Sequence, residues 1–123
     1  MMKIKLLEPH FTVCQIADLS AIDWNAPFCF VAKTDEEWSL VCPQEYVPAV
    51  TLEREDGWRA MRIEGTLDFS LVGILARLTE TLAQKKIPVF AVSTYNTDYI
   101  LVKHEKVPLA IEALNAANWD VER

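Results

Sequence analysis

The second half of the chain carries the clearest alternation of apolar and polar positions. Residues 58–63 alternate as a half-buried strand does, and Gly65 interrupts the pattern. Apolar side chains then recur at helical spacing after Asp68, a favourable residue for a helix N-cap, and Pro88 prevents continuation. The apolar face of this helix consists of Leu71, Ile74, Leu75, Leu78 and Leu82. The pattern predicts a strand followed by an amphipathic helix.

A hairpin, a second helix and a final short strand follow. Residues 89–94 and 99–103 have strand character around the Asn96-Thr97 turn. Pro108 suits the first turn of a helix, where its missing N–H costs little, and residues 119–121 are extended in character. The order βαββαβ predicts an α+β fold in which the helices pack on one face of an antiparallel sheet.

An internal repeat connects the two halves of the chain. The segment FCFVAKTDEEWSLV at residues 28–41 aligns without a gap with VFAVSTYNTDYILV at residues 89–102, which is 61 positions further on. Both read strand, polar turn, strand, and a Val-Pro dipeptide follows each copy almost in register. The recurrence predicts a duplicated unit.

The first half is the less complete copy. Residues 4–7, 11–16 and 49–53 have strand character, whereas residues 18–27 are too short for a convincing helix and predict a loop or one turn. Residues 43–46 suit a brief helix, and Glu55-Asp56-Gly57 predicts a turn. We therefore expect a degenerate half at 1–57 and a complete unit at 58–123.

Residues 65–102 resemble the ACT-domain family. The stretches GTLDFSLVGILARL and IPVFAVSTYNTDYILV are similar to small tandem-ACT proteins such as CASTOR-type amino-acid sensors and to aspartate kinase regulatory domains. The resemblance implies two ferredoxin-like βαββαβ halves, ligand-regulated binding, dimers formed through sheets or helices, and neither chemistry nor a cofactor of its own. Residues 18–27 depart from the family pattern because they lack its helix, which leaves open whether the first half keeps a ligand site.

The start of the first predicted helix is one candidate ligand site. The first N–H groups of a helix lack internal partners and can receive a carboxylate. The residues concerned are Asp68, Phe69, Ser70 and Leu71. Asp68 either only caps the helix or also attracts an ammonium group. Gly73, predicted inside the helix, indicates close approach by a ligand or by a neighbouring strand.

The polar run after the strand at 89–92 is the second candidate. As a simple hairpin turn, it would have Asn96 and Asp98 bonding their own backbone. The family resemblance instead implies that Ser93, Thr94 and Asp98 contact a polar ligand. Alternation places Ser93 and Thr94 on opposite sheet faces, so both reach one pocket only if the strand bends.

Composition and charge indicate which cellular location and which kinds of partner to expect for this protein. The chain has 18 acidic against 12 basic residues and a formal net charge of -6, so nucleic acid is not an expected partner. No apolar run approaches the roughly 18 residues that span a bilayer, so no membrane partner is expected. Cys14, Cys29 and Cys42 lie in apolar segments, which favours buried reduced thiols and a cytoplasmic location.

Recognisable catalytic and metal-binding motifs are missing from the sequence. His10 and His104 belong to no spaced metal or triad motif, and the cysteines lack C-x-x-C spacing. The leading hypothesis is a non-catalytic regulatory or sensor module that binds a small molecule, an amino acid by resemblance, and forms a homodimer. The alternative is a ligand-independent dimeric module that recruits another protein. An enzyme would need a nucleophile or an acid–base pair that the sequence does not display.

Overall fold

The computed structural model describes residues 2–64 and 73–123, which divide into two compact units. The terminal unit comprises Met1–Glu8 and Arg59–Arg123, and the middle unit comprises Pro9–Trp58. In the described residues the α-helices are α1 (Ile74–Gln84) and α2 (Val107–Ala116). The strands are β1 (Lys3–Ile16), β2 (Phe30–Lys33), β3 (Trp38–Pro43), β4 (Glu53–Ile63), β5 (Phe90–Ser93), β6 (Asp98–Lys103) and β7 (Asp120–Glu122).

The terminal unit contains a sheet covered by both helices. Its strand order is β7, the first residues of β1, the last residues of β4, β6 and β5. β5 and β6 are antiparallel, whereas β7 runs parallel to β1. The buried cluster between sheet and helices includes Ile4, Met61, Leu78, Ile100 and Leu114. These contacts confirm the predicted strand, helix, hairpin, helix and strand, and they add β1 to the sheet.

Alternating side chains explain why the helices lie on this face. Ile100 and Val102 of β6 and Met61 and Ile63 of β4 are two residues apart within each strand, so each pair points to the same side. Pro108 lies in the first turn of α2, as predicted, and Trp119 closes the end of the cluster. Burial of this shared face is therefore what holds α1 and α2 to the sheet.

The middle unit has a sheet but no α-helix. Its strand order is β2, β3, the last residues of β1 and the first residues of β4. Short 3-10 turns lie at Leu19–Ala21, between β1 and β2, and at Gln44–Tyr46, directly after β3. These turns agree with the expected loop and brief helix, because the segments are too short for more. The fold is α+β with antiparallel pairs, but two complete βαββαβ halves are not found in the described residues.

The predicted turn at 55–57 is wrong, because β4 runs without interruption from Glu53 to Ile63. Gly57 has a φ of 85°, a left-handed conformation that glycine adopts without strain, and its N–H donates to Gln44 Oε1 at 2.8 Å. The strand therefore passes through the glycine instead of turning there. The domain limits 1–57 and 58–123 remain a prediction.

The two hairpins have the same internal register, displaced by 60 residues. Phe30 pairs with Val41 in β2–β3, and Phe90 pairs with Leu101 in β5–β6. The predicted repeat is present as a repeated hairpin, but its offset of 61 residues is wrong by one. Because side chains alternate between the faces of a sheet, this error assigns each side chain to the opposite face. The acid and aromatic residues aligned at the longer offset are therefore not structurally equivalent.

Leu114→Ala should lower the free energy of unfolding by about 2–5 kcal/mol, because it leaves a cavity under α2. Leu114 is fully buried, whereas Leu109 on the same helix is 36% exposed. Leu109→Ala is the matched control and should lower the free energy of unfolding by less than half as much. Urea unfolding followed by circular dichroism measures both. Equal losses would contradict the described packing of α2.

Candidate functional site

The polar end of the β5–β6 hairpin is closed by two threonines. The Thr94 N–H donates to the Thr97 carbonyl at 2.9 Å. The Thr94 hydroxyl donates to the same carbonyl at 3.1 Å and accepts from the Thr97 N–H at 3.3 Å. Thr94 therefore uses its hydroxyl to shape the turn, a role predicted for Asn96 and Asp98 if the run were a simple hairpin turn.

This turn brings Ser93 and Asp98 together. They are directly paired across the hairpin, one step from the hydrogen-bonded Thr94–Thr97 pair, so they form a non-hydrogen-bonded pair in which side chains approach closely. The Ser93 hydroxyl donates to Asp98 Oδ1 at 2.6 Å. Among the described residues no donor reaches the second carboxylate oxygen of Asp98. Two of the predicted ligand residues thus form one polar group.

Asp98 lies on the helix-covered face of the terminal unit. It is two residues from Ile100, whose side chain packs in the cluster with α1 and α2, and alternate residues share a face. Ser93, its cross-strand partner, lies on the same face. The pair therefore stands at the end of the sheet face against which the helices pack.

Thr97 connects this hairpin end to the end of β4. Its hydroxyl donates to the Ile63 carbonyl at 2.7 Å, and the residue is only 7% exposed. The bond is buried and therefore sheltered from competition by water. Thr97 lies in the predicted turn, but its contact with Ile63 was not predicted, because a link across 34 positions leaves no local signal.

Arg62 of β4 and Tyr99 of β6 lie on the face of the sheet opposite to the helices. The guanidinium of Arg62 is 6.0 Å from the centre of the Tyr99 ring, and its Nη2 is 3.5 Å from Glu64 Oε1. Tyr99 is the largest cause of a raised pKa at Arg62, and Glu64 adds to it. Alternation separates Tyr99 from Asp98, so Arg62 is not part of the Ser93–Asp98 group.

Gly73 begins α1 instead of lying within it. α1 starts at Ile74, and Gly73 is the N-cap residue with a left-handed φ of 80°. A Cβ at this position would lie 3.6 Å from Arg77 Nη1, an ordinary contact. The glycine is therefore explained by its backbone conformation, and no described strand approaches it closely. Its predicted contact with a ligand stays a prediction. No hydrogen bond between described residues joins Gly73 to Ser93, Thr94 or Asp98.

Four predicted ligand residues lie outside the described part of the chain. They are Asp68, Phe69, Ser70 and Leu71. The N-cap and ligand roles predicted for Asp68 therefore stay predictions.

Two grooves lie away from the hairpin end of β5–β6. A groove of about 430 Å³ in the terminal unit is lined by the exposed side of α1, including Arg77, Glu80 and Gln84, and by Trp119. A groove of about 300 Å³ in the middle unit adjoins Lys33 and Trp38, whose Nζ and ring centre are 5.5 Å apart. None of the predicted ligand residues that the structure describes lines either groove.

No helix within residues 2–64 and 73–123 is long and apolar enough to cross a membrane. The same residues contain no group of three or more His, Cys, Asp or Glu side chains placed to hold a metal ion.

Comparison with known families identifies the class of protein. Residues 53–116, just over half of the chain, match the ACT domain. The chain therefore belongs to the ACT-domain family, as the sequence resemblance predicted.

Solved structures share the fold. A protein from Agobacterium tumefaciens is 24% identical, with a TM-score of 0.86 over 98% of this chain and 91% of that one. The aspartokinase alpha and beta subunits are 16% identical, with a TM-score of 0.63 over 94% and 96%. The regulatory subunit of aspartate kinase from Thermus thermophilus, in its ligand-free form, is 10% identical, with a TM-score of 0.64 over 93% and 95%.

Thr97→Val should lower the free energy of unfolding by about 1–3 kcal/mol, because it removes the donor to the buried Ile63 carbonyl while keeping the side-chain shape. Thr81→Val is the control, since the Thr81 hydroxyl donates to the Arg77 carbonyl one turn earlier in an exposed hydrogen bond on α1. The control should change stability by less than about 0.5 kcal/mol. Chemical unfolding measures both, and indistinguishable variants would contradict a structural role for the Thr97 bond.

Proposed function

We propose that this protein is a non-catalytic regulatory module that binds a small amino acid between the end of the β5–β6 hairpin and the start of α1. The observation that carries the proposal is the Ser93–Asp98 pair. It presents a carboxylate with one oxygen held by a hydroxyl and the other without a donor among the described residues. Membership of the ACT-domain family and the shared fold with an aspartate kinase regulatory subunit support a regulatory role.

Asp98 is the proposed receptor for the ammonium group. An ionised carboxylate makes charge-assisted hydrogen bonds that are about twice as strong as neutral ones. The Ser93 hydroxyl orients the carboxylate by its bond to Oδ1, which leaves Oδ2 for the incoming donor. An ammonium group is therefore the ligand chemistry that this pair favours.

The start of α1 is the proposed receptor for the ligand carboxylate. Gly73 has no side chain to cap the helix, and the first N–H groups of α1 have no partner within the helix. The guanidinium of Arg77 lies near the Cα of Gly73, so positive charge is concentrated there. A ligand with an ammonium at one end and a carboxylate at the other suits both receptors.

The remaining predicted residues keep supporting roles in this proposal. Thr94 shapes the turn that pairs Ser93 with Asp98. Asp68, Phe69, Ser70 and Leu71 stay candidate ligand contacts by prediction. The homodimer implied by the family resemblance also stays a prediction, and ligand binding is proposed to act through it on a partner protein.

Thermal unfolding against the twenty amino acids tests the proposal. A ligand at about 100 times its dissociation constant stabilises by roughly 2.7 kcal/mol, which should raise the Tm by several degrees. Asp98→Asn keeps the shape but removes the charge, and it should weaken binding about tenfold or more, since a hydrogen bond to a charged group contributes roughly 1.5–3 kcal/mol.

Asp35→Asn is the matched control, because it removes one carboxylate from the turn of the other hairpin. It should leave ligand binding unchanged. If both variants bind as the unmodified protein does, Asp98 is not the ammonium receptor. If no amino acid shifts the Tm of the folded protein, the ligand-independent interaction module becomes the better hypothesis.

A further inference from the structure

The middle unit holds three cysteines in one small cluster. Cys14 and Cys42 are buried within it, and Cys29 packs against it with intermediate exposure. At the 60-residue offset between the hairpins, Cys29 and Cys42 correspond to Val89 and Val102. The thiol pair is therefore a feature of the middle unit's hairpin that the terminal unit's hairpin does not share.

The hairpin register places Cys29 opposite Cys42. Phe30 pairs with Val41 in the antiparallel β2–β3 ladder, so the residue just before Phe30 faces the residue just after Val41. The packing of Cys29 against the cluster that contains Cys42 agrees with this extension of the register by one residue.

The hydrogen-bond alternation makes this a close pair. The Thr34 N–H donates to the Glu37 carbonyl at 2.9 Å, which identifies 34–37 as a hydrogen-bonded pair. Pairs alternate along an antiparallel ladder, so 33–38, 31–40 and 29–42 are the non-hydrogen-bonded pairs. Their Cα atoms are about 4.5 Å apart. That spacing lies within the range of roughly 4.4–6.8 Å that a disulfide requires.

Cys14 is less well placed to bond Cys42. In the β1–β3 ladder it pairs with Leu40, while Thr12 pairs with Cys42. Cys14 is therefore a diagonal neighbour of Cys42, and diagonal neighbours are about 7–8 Å apart. This exceeds the usual disulfide span.

We propose that Cys29 and Cys42 form a reversible cross-strand disulfide when the protein meets an oxidised low-molecular-weight disulfide. The Cys29 thiolate, the more exposed of the two, attacks one sulfur of the oxidant and releases one thiolate. The Cys42 thiolate then attacks the Cys29 sulfur of the mixed disulfide and releases the second thiolate. Two protein thiols are oxidised, and one disulfide is reduced to two thiols.

Burial makes the exchange strongly dependent on pH. The pKa of Cys42 is raised to about 12: desolvation by burial is the largest cause, Cys14, Cys29 and Asp23 add to it, and Arg54 opposes them. Desolvation and then Asp23 raise the pKa of Cys29. Because only the thiolate reacts, each thiol is mostly unreactive at pH 7, and its thiolate fraction grows about tenfold per pH unit below its pKa. The expected rate therefore rises with pH.

Treatment of the purified chain with glutathione disulfide at pH 7, 8 and 9 tests the proposal. After acid quenching and alkylation, trypsin should release residues 6–33 joined to residues 34–54, with the loss of two hydrogen atoms and no glutathione adduct. Cys14→Ala should keep this product, whereas Cys29→Ala should lose it. The oxidised protein should also unfold several degrees higher than the reduced protein, because the cross-link closes the hairpin.

Three outcomes would overturn the proposal. One is a cross-link that disappears in Cys14→Ala. Another is a stable glutathione adduct on Cys29 with Cys42 still reduced. The third is the absence of any reaction at pH 9 in a sample whose three cysteines are all detected as reduced thiols after unfolding in denaturant.

Discussion

Each hairpin is closed by a backbone hydrogen bond from a threonine to the residue three positions later, and this bond decides which side chains meet. Thr34 bonds Glu37 in the middle unit, and Thr94 bonds Thr97 in the terminal unit. From these bonds outward, pairs alternate between hydrogen-bonded and close-packed types. The close approaches of Ser93 to Asp98 and of Lys33 to Trp38 both follow from that alternation, as does the proposed pairing of the thiols.

The same register has different chemical consequences in the two units. In the terminal unit the face that carries Asp98 is covered by α1 and α2, so the Ser93–Asp98 pair lies at the end of a sheet face that helices cover. The described residues of the middle unit contain no α-helix, and the corresponding face holds a small cluster of thiols and apolar side chains. One hairpin pattern thus supports a proposed ligand site in one unit and a proposed redox pair in the other.

Much of the fold was predictable from local patterns, and the errors have physical causes. The β5–β6 hairpin and α2 follow from turn residues, Pro108 and apolar spacing. The predicted repeat offset was wrong by one residue, because matching residue types do not show which face of the sheet a side chain points to. The hydrogen-bonded register of the two hairpins does show it. The turn at Gly57 and the helical position of Gly73 were wrong because composition does not show where glycine adopts a positive φ.

The sequence by itself determined the family, the α+β class, the hairpins and the identity of Ser93, Thr94 and Asp98 as candidate residues. These depend on local propensity and on periodicity, which are written along the chain. Only the tertiary structure decided that β1 joins the terminal unit's sheet, that Thr97 bonds Ile63, and that Ser93 meets Asp98. Such contacts depend on register and on pairing between distant segments, and a single sequence does not specify them before the chain has folded.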